Sequence, residues 1–139
     1  MVSAVKDLAS DTDIKNLVVH FGTNNIFHNS KQSPLDIENE IEESLKQLKR
    51  DLPDSKIHFS AILPKIDMSF TRSIEFINWK TWQLCKKLGL GFIEHPTFVQ
   101  RGDLNQRLFS PSEWKDWRPI HPSHEGVRML QTNIKLHLC

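Results

Sequence analysis

The chain has 139 residues, the size of one domain with a core of its own. Its 18 basic and 17 acidic residues leave a net charge of +1, which excludes strong electrostatic steering toward nucleic acid or a membrane surface. Two cysteines make no disulfide framework, no apolar run approaches the length of a membrane span, and the first residues lack a signal-peptide pattern. These features predict a single-domain intracellular protein of the cytoplasm or nucleus.

The first part of the chain predicts a strand followed by a long helix. Apolar spacing within residues 2–8 indicates a short initial helix, and the almost continuously apolar run at 16–21 is typical of a parallel strand covered on both faces. Ser33 is a good N-cap and Pro34 fits the first position of the next helix, which should end by Pro53. Its buried face is predicted from apolar residues at steps of four and three: Ile37, Ile41, Leu45 and Leu48.

The second part repeats this alternation. A strand is predicted at 57–63, where Pro64 ends it, and a second long helix is predicted at 69–88. A short third strand is predicted at 91–94. Residues 95–120 show little periodicity, and a connection of that length without regular structure is usually functional.

The last helix is predicted to open at residues 121–123. Its apolar stripe is predicted from four residues: Val127, Leu130, Ile134 and Leu138. Strands that alternate with helices imply right-handed parallel crossovers. The sequence therefore predicts an α/β fold, a three-layer sandwich with a parallel sheet of the flavodoxin-like kind.

Polar residues follow the first predicted strand directly. Gly22, Thr23, Asn24 and Asn25 come after the run at 16–21, and ligands of parallel sheets bind outside the carboxyl ends of the strands. An asparagine held at that edge has an amide that can donate to a developing oxyanion. The competing interpretation is an asparagine that supports a turn through hydrogen bonds to the backbone.

Two blocks of the sequence resemble the SGNH (GDSL-type) serine hydrolases. Residues 17–26 resemble the Gly-x-Asn-Asp block of that family, and residues 121–127 resemble its C-terminal histidine block, which opens the final helix. The helices and strands predicted between the blocks agree, so the resemblance covers nearly the whole chain. The Gly-Thr-Asn and His-Pro-Ser versions of the blocks are similar to esterase domains in first open-reading-frame proteins of some non-LTR retrotransposons.

The resemblance implies an activity and roles for particular residues. SGNH hydrolases cleave carboxylic esters through an acyl-serine intermediate and need no cofactor. By resemblance, His121 would take the proton from the serine hydroxyl, and Gly22 and Asn24 belong to the block that binds the oxyanion. The competing interpretation of His121 is a polar residue at a helix N-terminus.

The chain departs from the family pattern in several ways. No Gly-Asp-Ser strand supplies a nucleophile, a second strand is missing, and Asn25 stands where the family block has an aspartate. The aspartate expected three residues before His121 is replaced by Arg118. The nearest carboxylates that a shifted loop offers are Asp116 and Glu113. The chain is therefore predicted to be a single, incomplete SGNH-like domain over residues 1–139 that lacks the first two strands.

The sequence leaves three functions open. An SGNH-type esterase domain without its nucleophile block should be inactive alone. A non-catalytic interaction module would keep the fold as a scaffold for self-association or for a nucleic-acid-binding partner. An enzyme with another nucleophile is the third possibility, although Ser10, Ser30 and Ser60 lie in no recognisable nucleophile turn. If the first strands are missing, residues 16–21 form a free edge, which predicts self-association along it.

The remaining candidates have plainer explanations. His121 and His124 are spaced to touch one metal ion, but no further ligand pattern accompanies them, so no metal or cofactor is predicted. Trp79 and Trp82 are predicted to pack in the core or against another helix rather than to stack on bases, and nucleic-acid binding by this domain alone is not expected. Two strand histidines are predicted as core or edge residues: His20 and His58.

Overall fold

A computed structural model describes residues 14–20, 33–64, 68–100, 103–109 and 122–139. Helices and strands alternate through the first part of these residues. In chain order the elements are β1 (Asn16–Val19), α1 (Pro34–Asp51), β2 (Lys56–Ser60), α2 (Met68–Leu88), β3 (Gly91–Ile93), β4 (Val99–Gln100), β5 (Asp103–Leu104) and α3 (His124–Leu138). The predicted helix within residues 2–8 lies outside the described residues.

A three-stranded parallel sheet in the order β1–β2–β3 joins the first half of the chain to the second. β1 and β2 pair from Asn16 opposite Lys56, and β2 and β3 pair from His58 opposite Gly91. Parallel pairing in chain order, with helices as the crossovers, confirms the predicted α/β fold.

The two faces of the sheet differ in chemistry. Ile57 and Phe59 of β2 lie in the main core with buried residues of α1 and α2. His58 and Ser60, which alternate with them, point to the opposite face. There His58 contacts His137 of α3, so α1 and α2 cover one face and α3 covers the other. This arrangement is the predicted three-layer sandwich.

The first helix forms as predicted. Ser33 Oγ accepts a hydrogen bond from the Asp36 backbone N–H at 3.2 Å, and Asp36 Oδ2 accepts one from the Ser33 backbone N–H at 3.2 Å. This capping box satisfies two N–H groups that the helix itself leaves unpaired. The predicted apolar face is buried: Ile37, Ile41, Leu45 and Leu48.

The second strand ends at Ser60, earlier than the predicted end at residue 63. Beyond it, the backbone N–H of Ile62 donates to Asn78 Oδ1 at 2.9 Å, and Asn78 Nδ2 donates to the Ile62 carbonyl at 2.9 Å. One side-chain amide on α2 thus replaces the partners that a neighbouring strand would provide. The apolar run after Ser60 therefore resembles a strand in sequence without being one.

Two tryptophans of α2 correct the predicted packing. Trp79 is 51% exposed and Trp82 is 38% exposed, so the core position was wrong, and the alternative of packing against another helix stays a prediction. The buried side of α2 is formed by Ile74, Ile77 and Cys85. Trp79 lies two positions after Ile77, which places it roughly 200° around the helix from that buried residue.

The third helix also differs from its predicted pattern. Val127 and Leu138, at the two ends of the predicted stripe, are exposed. The sheet face that α3 covers presents histidines, and the residues of α3 that contact them are Asn133 and His137. The apolar stripe therefore did not predict which side of α3 faces the sheet.

Part of the connection predicted to lack periodicity has regular structure. Short 3₁₀ turns at Pro96–Phe98 and Gln106–Leu108 flank the antiparallel β4–β5 pair. These segments bury a second apolar cluster, formed by Leu63, Phe98, Leu108 and Phe109. Each piece has only two or three residues, which is too short for a periodic pattern to reveal it.

Candidate functional site

The residues to which the resemblance gave catalytic roles lie outside the described residues: Gly22, Asn24, Asp116 and His121, with Asn25, Glu113 and Arg118 beside them. Their roles stay predictions. The structure does describe residues that border them, with His20 at the end of β1 and Pro122 just before α3. The site can therefore be framed from the elements that lead into it.

The third helix runs antiparallel to the strands of the sheet. Asn133 contacts His95, which follows the carboxyl end of β3, and His137 contacts His58 in the middle of β2. At 1.5 Å per residue, the start of α3 lies roughly 13 Å from Asn133 along the helix axis, beyond the carboxyl ends of the strands. The end of β1 and the start of α3 thus lie on the same side of the sheet, at the carboxyl ends of the strands. The separation between the predicted base and the predicted oxyanion donor stays a prediction.

The start of α3 is held by its cap and by a close backbone contact. Ser123 Oγ accepts from the Gly126 backbone N–H at 3.1 Å and donates to the Arg107 carbonyl at 2.6 Å. Gly126 packs so tightly that a Cβ there would lie 2.0 Å from the Leu108 carbonyl oxygen. The serine and the glycine of the histidine block are therefore explained by local structure: they fix the N-terminus of α3 on the second apolar cluster.

A chain of hydrogen bonds crosses the carboxyl edge of the sheet. His20 Nδ1 lies 3.0 Å from Ser60 Oγ, and Ser60 Oγ lies 2.6 Å from His95 Nε2. Asn133 Nδ2 lies 3.1 Å from His95 Nδ1 and completes the chain on α3. These side chains connect the ends of the three parallel strands with the helix that follows the histidine block.

The donors and acceptors fix the direction in which protons are donated along this series of hydrogen bonds. Because Asn133 donates to His95 Nδ1, Nε2 of that ring carries the proton and donates to Ser60, whose hydroxyl donates to His20. Burial, followed by the nearby charge of His20, lowers the pKa of His95 to about 4, so this ring is neutral at physiological pH. Burial of its ring also lowers the pKa of His20, although the residue as a whole is exposed and a hydrogen bond with the Ser60 backbone opposes the shift.

The order of hydroxyl, imidazole and amide resembles a nucleophile, its base and an orienting group. Burial excludes that role for Ser60. It is only 1% exposed, so an acyl carbon cannot come within about 3–3.5 Å of Oγ as attack requires. Ser60 therefore connects elements and is no nucleophile, which agrees with its omission from the predicted site.

A second histidine contact lies further down the same face. His58 Nδ1 lies 3.1 Å from His137 Nε2, and His58 Nε2 lies 3.0 Å from Asn16 Oδ1. Since Asn16 Oδ1 only accepts, His58 Nε2 carries its proton and Nδ1 accepts from His137. Burial lowers the pKa of His58, and the positive charges of His137 and Lys56 lower it further. The prediction of a core position for His58 is confirmed by its burial.

Sequence reasoning missed the helix-side partners of these histidines. It also missed His95. The available signal was its position two residues after β3, since polar residues just beyond the strands of a parallel sheet lie where ligands bind. Asn133 and His137 are one helical turn apart, so they share a face of α3. That spacing is visible in the sequence, but its meaning depends on knowing which strand residues lie opposite.

Two other kinds of site are absent from the described ranges. Within those residues, no cluster of three or more histidine, cysteine, aspartate or glutamate side chains has the arrangement of a metal site. None of the helices described is both long enough and apolar enough to span a bilayer.

Comparison with solved structures identifies the fold. The chain matches a Streptococcus pneumonia protein provisionally assigned as a platelet activating factor, with a TM-score of 0.75, 16% identity, and coverage of 100% of this chain and 68% of the other. A GDSL-like lipase from Bacteroides thetaiotaomicron matches with a TM-score of 0.69 and 16% identity, and the match covers 97% of this chain and 67% of the lipase. The OSK domain of Drosophila Oskar matches with a TM-score of 0.73 and 13% identity, covering 99% of this chain and 70% of the domain. No protein-family profile and no curated protein sequence matches. The chain thus has the α/β fold of GDSL/SGNH-like hydrolases and spans about two thirds of the length of these structures.

Proposed function

We propose that this chain is the part of an SGNH-type carboxylic ester hydrolase domain that carries the base and the oxyanion donor, in an intracellular protein derived from a retrotransposon. One observation carries the proposal: the end of β1, which leads to Asn24, and the start of α3, which follows His121, both lie on the side of the sheet where the strands have their carboxyl ends. The 139 residues contain no Gly-Asp-Ser nucleophile block, so the isolated chain is inactive.

In the complete site, a serine from such a block attacks the acyl carbon of the ester. His121 takes the hydroxyl proton as the oxygen attacks and later gives it to the leaving alcohol. The amide of Asn24 donates a hydrogen bond to the oxyanion, and Gly22 belongs to the same sequence block. Asp116 is the carboxylate that would orient the histidine, in place of the residue that Arg118 replaces.

The isolated chain should not hydrolyse short acyl esters above background. A base and oxyanion donors without a nucleophile leave only a small rate over water. The measurement is hydrolysis of p-nitrophenyl acetate, together with labelling by a fluorophosphonate probe. Serine labelling that is lost in His121→Ala but kept in the matched control His124→Ala would show that the chain contains its own nucleophile.

The same proposal makes a positive prediction for a longer protein. If the gene encodes a Gly-Asp-Ser strand before Met1, the extended protein should hydrolyse these esters. His121→Ala should then lower kcat at least about 10³-fold, because the base and nucleophile act as a unit. The kcat of the His124→Ala variant should stay close to that of the parent. Equal activity of the extended protein and its His121→Ala variant would reject the assignment.

A non-catalytic interaction module is the second candidate. The observation in its favour is an exposed aromatic surface on α2, formed by Phe76, Trp79 and Trp82. Contiguous apolar surface of this kind marks interaction sites more often than it is left in water. An extended protein that carries the strand but lacks ester hydrolysis would favour this candidate.

A further inference from the structure

An aromatic cleft lies between α2 and β3, at the end of the sheet away from β1. Its volume is about 510 Å³, and it is lined by Glu75, Asn78, Trp79, Trp82, Phe92 and Glu94. The four residues from α2 have spacings of three, one and three, so they form one stripe along the helix. The cleft therefore combines three aromatic rings with two carboxylates, outside the histidine-lined edge described above.

The rings around this cleft already attract cations from the chain itself. Lys86 Nζ lies 4.3 Å from the centre of the Trp82 ring. Lys80 Nζ lies 5.6 Å from the Trp79 ring and 5.8 Å from the Phe76 ring. Both lysines follow the tryptophans they cover, so the helix places ammonium groups against ring faces. Each indole thus already holds a cation against one of its faces.

The carboxylates supply the matching charge. Within the residues that the structure describes, neither Glu75 nor Glu94 has an ion-pair partner. Asn78 also lines the cleft, but its amide is engaged by the Ile62 backbone on both its donor and acceptor sides. The walls therefore offer negative charge and aromatic faces.

This composition separates one class of cation from another. A primary ammonium is strongly hydrated and must give up water from its N–H donors to lie against a ring, whereas a quaternary ammonium has no N–H donors to desolvate. Aromatic faces compensate a methylated ammonium without hydrogen bonds. We propose that the cleft binds a methylated ammonium group, either of a small molecule such as choline or of a trimethyllysine side chain. This inference is independent of ester hydrolysis.

The test is an NMR titration of the full chain with choline, read on the indole N–H signals of Trp79 and Trp82. The neutral isostere 3,3-dimethylbutan-1-ol, which has the same shape without the charge, is the matched control. Choline should shift both signals saturably, and the alcohol should bind at least about 2-fold more weakly, since one exposed cation–π contact is worth about 2- to 5-fold in affinity. Equal effects of choline and the alcohol would overturn the proposal.

Variants locate the site. Trp79→Ala and Trp82→Ala should each weaken choline binding about 5- to 30-fold, since a cation–π contact contributes about 1–2 kcal/mol. The isosteric pair Glu75→Gln and Glu94→Gln should weaken it without altering shape, whereas Glu43→Gln on the exposed side of α1 should have no effect. Binding that survives the removal of both tryptophans would reject the cleft as the site.

Two peptides distinguish the sources of the cation. A peptide carrying trimethyllysine should bind more tightly than choline if the natural ligand is a protein side chain, and no more tightly if it is a small molecule. The same peptide with unmodified lysine is the control and should bind more weakly than the methylated form. Tighter binding of the unmodified peptide would contradict the proposal, because it would show recognition through N–H donors.

Discussion

At the scale of single residues, the histidine block contains a position that tolerates no side chain. Gly126 lies where a Cβ would meet the Leu108 carbonyl at 2.0 Å and Pro122 Cβ at 2.8 Å. Gly89, by contrast, has φ +73°, and a Cβ there would meet nothing within 4 Å. The first glycine is required by close packing and the second by backbone conformation.

We expect Gly126→Ala to lower the free energy of unfolding by about 1–3 kcal/mol, because it forces α3 away from the turn at Leu108. Gly89→Asn is the matched control, since asparagine tolerates the left-handed conformation and should cost less than about 1 kcal/mol. Urea denaturation measures both values. If the two variants were equally stable, the close approach of α3 to that turn would be wrong.

At the scale of elements, α3 is attached to the sheet through imidazoles. His95 bonds Asn133 and His58 bonds His137, on successive turns of the helix. His58 and His95 are both buried, and burial lowers the pKa of each. Both contacts require neutral rings on the sheet side, so the attachment of α3 depends on pH.

The free energy of unfolding should therefore fall as the pH drops below about 6.5. Between the ordinary histidine pKa of 6.5 and the folded value of about 4 for His95, the unfolded chain binds a proton that the folded chain excludes. The loss is at most about 1.4 kcal/mol per pH unit for each such histidine, and the His95 contribution is lost completely once the pH passes below about 4. Above pH 6.5 this contribution is constant.

Urea denaturation between pH 7.5 and 4.5 measures this slope, and His95→Gln should remove a large part of it. The exposed His124→Gln is the control and should keep the parent slope. A parent slope that His95→Gln leaves unchanged would mean that other groups, such as carboxylates, cause the acid sensitivity. Differences between variants are informative here, because carboxylates titrate in the same range.

Much of the element order could be predicted from the sequence, whereas the polar contacts could not. The strand Asn16–Val19 and the face of α1 follow from local apolar patterns, which burial in the core then stabilises. Asn78 replaces a strand partner for Ile62, and no periodicity records such a long-range amide contact. The histidine contacts likewise join positions up to 79 residues apart. Predicted site roles came from resemblance alone, and they fall on residues outside those described.

At the scale of the whole molecule, β1 pairs with one strand among those described. Its partner is β2, so its other side is an edge within the described sheet. An edge beside apolar residues is a template for pairing with another chain. In the proposed complete SGNH-type domain, a further strand would pair with this side of β1.

We expect the isolated chain to self-associate along residues 16–21. Light scattering should show a molar mass that rises with concentration. Hydrogen exchange should show increasing protection of the β1 amides over the same range, while the amides of the buried face of α1 stay unchanged as an internal control. A monodisperse monomer with full protection of residues 16–21 would show that another segment of the chain already covers the edge.

The difference between the two faces of the sheet has a consequence for how the molecule opens. The α1 and α2 side is sealed by aliphatic and aromatic packing, whereas the α3 side is joined through rings and amides that water can replace. The C-terminal half of α3, which carries Asn133 and His137, is therefore held to the sheet by polar contacts that exchange with water. Its N-terminal half packs Met129 and Leu130 on the second apolar cluster. We therefore expect α3 to open from its C-terminal end.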